Sequence, residues 1–217
     1  MLMKINLPTK ITILRILLVG LLLVFLFVWA IGGKFCGWVS PTIGDSPITL
    51  VGLISCCVFI LAALTDALDG HLARSRGEVT DLGKFLDPIA DKMLVNSSLI
   101  FFAVPWEFLP GSLTIPVFCV ILMVLRDLVV DTLRFVAASK GEVVAANIFG
   151  KLKTVFQMAA LPIAMLNGWH FSYFDASWNP YLRIASCLIY LATAMSLISG
   201  IIYVIQNRHV LKEKNHD

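Results

Sequence analysis

Six long runs without a charged residue pattern the chain: Ile16 to Gly33, Ser46 to Thr65, Met93 to Trp106, Phe108 to Leu125, Thr154 to Phe174 and Ile184 to Asn207. Apolar runs of this kind suit helices that cross a bilayer, so the pattern predicts an all-α integral membrane protein with six transmembrane helices. The third run is the shortest. As a helix it would rise about 21 Å, short of a hydrocarbon core of roughly 30 Å. The charged segment before it must therefore be partly submerged. That places Asp87 and Asp91 on the helix near the membrane boundary, where ionisable side chains are expensive and usually functional.

Composition agrees. Of 217 residues, 59% are hydrophobic and 14% charged, against about 25% charged in soluble domains. With both ends on the cytoplasmic side, all Lys and Arg except Lys34 and Arg183 fall in cytoplasmic segments. This positive-inside bias assigns both termini to the cytoplasm and the protein to the cell membrane, multi-pass. The first run is long, has Arg15 at its start and lacks a small-residue cleavage site, so it is expected to stay as the first helix. Cys56, Cys57, Cys119 and Cys187 lie in apolar spans and Cys36 stands alone, so no disulfide or zinc framework is expected. Asn96-Ser97-Ser98 matches a glycosylation sequon but falls inside the third span. No long polar linker or repeat divides the chain, and a single domain over 1–217 is predicted. The segments Gly32 to Pro47, Pro105 to Gly111 and Gly168 to Pro180 read as plain connectors. Trp29, Trp38, Trp106, Trp169, Trp178 and Tyr181 near them read as an interfacial aromatic belt. No nucleic-acid partner is expected.

Polar chemistry concentrates on the cytoplasmic side, in "DALDGHLARSRGEVTDLGKFLDPIADK", Asp66 to Lys92. On a helix, Asp66, Asp69, Gly70 and Ala73 share one narrow arc at the end of the second span, and Gly83, Asp87 and Asp91 share another at the start of the third. Packed face to face, the two stripes would bring four carboxylates together, with Gly70, Ala73 and Gly83 leaving a gap between the backbones. Such a cluster must take up protons or bind cations. Oxygen donors without His or Cys select hard ions, so a pair of Mg²⁺ or Mn²⁺ is expected, with Ca²⁺ left open.

These residues resemble a known family. Asp66-x-x-Asp69-Gly70-x-x-Ala73-Arg74, eight residues, Gly83-x-x-x-Asp87-x-x-x-Asp91 matches the signature of the CDP-alcohol phosphotransferases without departure. The resemblance implies a six-helix membrane fold and transfer of a phosphatidyl or related group from a CDP-linked donor to an alcohol, releasing CMP. It implies that Asp66, Asp69 and Asp87 hold two divalent ions, and that Asp91, also near the metals, is the catalytic base on the acceptor hydroxyl. It also implies that Gly70, Ala73, Arg74 and Gly83, beside Asp66 and Asp69, shape the CDP-diacylglycerol site. A homodimer is implied as well. The roles are physically consistent: a two-metal clamp stabilises attacking and leaving oxygens, and a carboxylate can accept the alcohol's proton.

A second polar cluster bears on the acceptor. Arg126, Arg134, Lys151 and Lys153 lie at cytoplasmic ends of the fourth and fifth spans, with Arg126 and Arg134 about 80° apart on a continuous helix, and could bind a phosphate. A choline or ethanolamine acceptor would call for an aromatic cage or extra acid instead. "NLPTKITILR" (Asn6 to Arg15), "LRDLVVDTLR" (Leu125 to Arg134) and "GKLKTVFQ" (Gly150 to Gln157) are similar to the branch of the family that uses sn-glycerol 3-phosphate. That resemblance implies an acceptor phosphate pocket drawn from Thr12, Arg15, Arg126, Arg134, Lys151 and Lys153, and phosphatidylglycerophosphate as product. The sixth span reads only as generically apolar, and Gly32 to Pro47 as a modest insertion. Rival readings keep the chemistry with inositol phosphate or phosphatidylglycerol as acceptor, or make the chain a cation-coupled transporter.

Overall fold

The computed structural model describes residues 6–76, 80–109, 114–141, 148–175, 177–179 and 182–208, with the side chains of Pro8, Ala67, Asp69, 71–76, Asp81 and Lys84 outside the description. The expectations for Asp69, Gly70, Ala73 and Arg74 therefore lie outside the described residues, although the helix backbone passes through all four.

The elements are α1 (Leu7–Cys36), α2 (Leu50–Arg76), α3 (Asp81–Phe102), α4 (Val117–Ser139), α5 (Ile148–Met165), the single turn α6 (Ser172–Asp175) and α7 (Ile184–Gln206). Among the described residues there is no β-strand, only an isolated antiparallel bridge between Thr42 and Thr49. Three described helices are long and apolar enough to cross a membrane: α1 from Thr9 to Cys36, α5 and α7, with a shorter apolar stretch, Leu50–Asp66, in α2. Contacts group the chain into two compact units, Met1–Thr114 with Leu161–Ala176, and Ile115–Ala160 with Ser177–Asp217.

In the first unit α1 packs against both α2 and α3. Val19, Leu22 and Leu26 of α1, Phe59 and Ala62 of α2, and Leu94 and Leu99 of α3 are buried. Leu14, Leu17, Leu21, Val24, Val28, Ile31 and Phe35 form the exposed side of α1, at alternating spacings of three and four. That stripe suits contact with lipid. The helix starts with a proline in its first turn and ends at Gly37, whose left-handed φ of 67° lets its N–H reach Gly32 O. In the second unit α4 packs along α7, with Val130, Leu133 and Tyr203 at the centre.

Several expected boundaries move. The fourth uncharged run is not one helix: α4 begins after Pro116 and continues through Arg126, Asp127, Asp131 and Arg134. Proline lacks a backbone donor and suits a helix start, and partners on α7 take up the two arginines that follow. The fifth run starts earlier, at Ile148, and stops at Met165. Beyond it Asn167 (φ 56°), Gly168 (φ 70°) and His170 (φ 70°) turn the chain, and the Asn167 side chain donates to Pro47 O at 2.8 Å. The expected connector from Gly32 is still helix as far as Cys36. The remainder is pinned: Ser40 N donates to Phe108 O at 2.8 Å, and Val51 N to Ser40 Oγ at 3.1 Å. Trp29, Trp38, Trp106, Phe101 and Phe108 pack there as one aromatic group, with centroids 5.0 to 6.3 Å apart, so three of the predicted belt residues also hold this end together.

Candidate active site

The acid site is built on α1, α2 and α3. Thr80 sits in extended backbone (φ −98°, ψ 152°) before α3, and its Oγ1 accepts from Gly83 N at 3.0 Å. The same oxygen lies 2.7 Å from Thr9 Oγ1 on α1, so the cap also ties α3 to α1. Gly83 fits beneath this pair: a Cβ there would stand 3.1 Å from Thr80 Oγ1 and 3.4 Å from Thr9 Oγ1. One turn on, Thr12 donates to Asp87 Oδ1 at 3.1 Å.

Arg15 completes the arrangement. Its Nη1 donates to Asp66 Oδ1 on α2, and its Nη2 lies 3.9 Å from Asp87 Oδ1 on α3. The guanidinium is 1% exposed, whereas Asp66 and Asp87 are 48% and 54% exposed. Among the described residues, Arg15 Nε and Nη2 have no hydrogen-bond partner. Of the two expected stripes, Asp66 on α2 and Asp87 on α3 share Arg15 of α1, and the rest of the α2 stripe lies outside the described residues. Among the described residues α2 and α3 touch each other sparingly, each packs on α1, and Arg15 on α1 brings Asp66 and Asp87 together. The physical reason is charge: two carboxylates repel, and a buried guanidinium between them removes the repulsion.

The donor set fits a hard cation. Asp66 and Asp87 present carboxylate oxygens at an accessible face with a threonine hydroxyl beside them. Asp91 follows Asp87 by one turn on α3 and is exposed. Among the described residues no group of three or more acids, histidines or cysteines is close enough to hold a metal.

The predicted basic cluster lies in the second unit, and it is not a set of loop charges. Arg126 Nε donates to Ser196 O at 3.0 Å, its Nη2 to Ser199 Oγ at 2.6 Å and its Nη1 to Asp127 Oδ1 at 3.0 Å. Lys153 Nζ lies 2.6 Å from each Asp127 oxygen. Arg134 Nε donates to Tyr203 Oη at 3.2 Å with its guanidinium carbon 5.4 Å from that ring's centroid. Lys151 is exposed.

Sequence reasoning passed over Asp127, and it treated α7 as generic. Yet Ser196, Ser199, Gly200 and Tyr203 recur at helical spacing on one buried side of α7 and receive the α4 arginines. Polar and small residues at spacings of three and four within an apolar span were the available signal. The strip Thr9, Thr12 and Arg15, all buried on α1, was a second one.

The family model described as CDP-alcohol phosphatidyltransferase matches residues 5–198. A Bacillus subtilis (strain 168) protein named CDP-diacylglycerol–glycerol-3-phosphate 3-phosphatidyltransferase is 36% identical over 210 residues, covering 97% of this chain and 99% of its own. A protein of the same name from Mycoplasma pneumoniae (strain ATCC 29342 / M129 / Subtype 1) is 36% identical over 217 residues, covering 96% of this chain and 90% of its own. Another, from Haemophilus influenzae (strain ATCC 51907 / DSM 11121 / KW20 / Rd), is 31% identical over 205 residues, covering 93% of each.

Proposed function

The chain belongs to the CDP-alcohol phosphatidyltransferase family, and from that premise we propose that it transfers the phosphatidyl group of CDP-diacylglycerol to sn-glycerol 3-phosphate, giving phosphatidylglycerophosphate and CMP. The observation that carries this reading is the near-full-length similarity to relatives that bear the corresponding name. The engaged basic groups of α4 and α5 support an anionic acceptor.

In this reading the chain is a single transmembrane catalytic domain with six spans, α3 and α4 joining α1, α2, α5 and α7. Both termini and the active site face the cytoplasm of a cell or inner membrane, and the enzyme works as a homodimer. The donor keeps its acyl chains in the bilayer. Gly70, Ala73, Arg74 and Gly83 shape the space for its cytidine diphosphate. Two divalent cations, Mg²⁺ or Mn²⁺, held by Asp66, Asp69, Asp87 and Asp91, would neutralise charge on the attacking and leaving oxygens.

Asp91 takes the proton from the 1-hydroxyl of glycerol phosphate as that oxygen attacks the β-phosphorus. The bond from that phosphorus to the bridging oxygen breaks, and CMP leaves with the electron pair. Thr12 and Arg15 hold the Asp87 and Asp66 carboxylates in place for this step. Arg126, Arg134, Lys151 and Lys153 serve the acceptor's phosphate.

The test is CMP release by the purified protein from CDP-diacylglycerol with each of glycerol phosphate, inositol phosphate and phosphatidylglycerol, with and without chelator. Glycerol phosphate should be preferred and chelator should abolish release. Preference for another alcohol would overturn the acceptor assignment, and metal uptake into liposomes without CMP release would favour a transporter.

A further inference from the structure

Asp127 is a charged residue that the proposed reaction leaves without a role. It follows Arg126 on α4, and its side chain is 14% exposed, beside Arg126 at 13% and Lys153 at 9%. Two cations therefore share one carboxylate in a largely dehydrated place. Lys153 Nζ lies 2.6 Å from both Asp127 oxygens, and Arg126 Nη1 lies 3.0 Å from Oδ1. Arg126 is further clamped by Ser196 O and Ser199 Oγ on α7. Its stem runs over Gly200, where a Cβ would stand 2.8 Å from Arg126 Cγ, so no side chain fits there without moving the arginine.

Stability alone does not account for this triad. Buried ionic groups of this kind are often matched or bettered by apolar residues of similar volume. The triad instead has a property useful to a binding site: it removes freedom from the two side chains that carry the positive charge. A lysine ammonium sits on a flexible four-carbon stem with no preferred direction, and a carboxylate that engages it with both oxygens gives it one. Without the acid, the ammonium and guanidinium would repel each other and swing apart.

We propose that Asp127 is a positioning residue: it fixes the Lys153 ammonium and the Arg126 guanidinium at the separation that receives the phosphate of the acceptor alcohol. This rests on the phosphatidyl-transfer reading given above, and it adds an acid to a subsite otherwise described by its bases.

The experiment compares the full-length protein with Asp127→Asn, Asp127→Glu, Lys153→Met and the Asp127→Asn/Lys153→Met double variant in detergent–lipid micelles at saturating Mg²⁺. KM for glycerol phosphate, KM for CDP-diacylglycerol and kcat are measured, together with the thermal-stability gain from inorganic phosphate. Asp127→Asn should raise the acceptor KM by about tenfold or more, the size expected when hydrogen bonds to charged groups are lost. It should leave the donor KM unchanged and abolish the phosphate-induced stabilisation. Asp127→Glu should recover part of both, and the double variant should be little worse than Lys153→Met, because the acid acts through that lysine. Should Asp127→Asn fail to fold, Ser199→Ala, which releases the other side of Arg126, carries the same expectation. An unchanged acceptor KM in the folded variants, or a parallel loss in all three kinetic parameters, would overturn the proposal. A wild-type protein that ignores glycerol phosphate yet is stabilised by inorganic phosphate through Asp127 would overturn the acceptor assignment and leave the positioning role standing.

Discussion

The Arg15 guanidinium of α1 donates to the Asp66 carboxylate of α2 while standing 3.9 Å from Asp87 of α3. The relationship is asymmetric, since Arg15 is fully buried and both acids are half exposed. Removing an acid therefore leaves a buried cation, which is the more damaging half of a broken pair. Asp66→Asn is expected to lower unfolding free energy by about 1–3 kcal/mol, a figure reduced for the solvent access of Asp66 and for Asp87 nearby. Asp87→Asn should cost less, under about 1 kcal/mol, because its contact with the guanidinium is longer. Denaturant unfolding in detergent, with chelator present so that metal plays no part, measures both. Equal effects from the two variants would remove Asp66 as the principal counterion.

Asp91→Asn separates fold from chemistry. The residue is exposed on α3, one turn beyond Asp87. The variant should unfold like the parent and still bind CDP-diacylglycerol, while turnover drops by about 10²–10⁴, the usual loss when a general base is removed. Turnover close to the parent's would withdraw the base from Asp91.

Much of the architecture was readable because a bilayer forces it to be. Apolar runs between charges located α7 closely, whereas α1 starts earlier, at Leu7, and α2 runs on past the uncharged residues to Arg76. The runs failed where a helix carries charges inside it. The fourth run was placed too early because α4 hides Arg126 and Arg134 against α7, and no local pattern announces which charges will find partners. The acid motif was likewise legible in its spacing, and Asp66 and Asp87 both lie beside Arg15. What could not be read was the intermediary: Arg15 is 51 and 72 positions away from them, and ion pairing over such separations depends on which helices pack.

Gly52 and Gly20 offer a paired test of helix packing in the first unit. A Cβ at Gly52 would stand 2.1 Å from Met165 O, a backbone atom that cannot rotate away. Gly52→Ala should therefore destabilise by about 1–3 kcal/mol through overpacking. At Gly20, inside α1, nothing lies within 4 Å of the added carbon. Gly20→Ala should instead be neutral or stabilising by up to about 1 kcal/mol through helix propensity. Thermal melts of both variants check the contrast, and a destabilised Gly20→Ala would mean that this face of α1 meets a partner.

Thr80 joins the start of α3 to α1 through a single oxygen, which accepts from Gly83 N and pairs with Thr9 Oγ1. Thr80→Ala removes the cap and leaves the Thr9 hydroxyl, on a buried residue, to find another partner. A loss of about 1 kcal/mol is expected from the cap, with somewhat more from Thr9. The consequence reaches the site, because fraying the first turn of α3 loosens the segment that delivers Asp87 to Thr12 and Arg15. Activity at a fixed, subsaturating Mg²⁺ concentration should therefore fall and be partly recovered by raising Mg²⁺. Thr80→Ser retains the hydroxyl and should behave as the parent in both stability and Mg²⁺ response. If Ser and Ala are equally impaired, the threonine methyl and not its oxygen holds α3 in place.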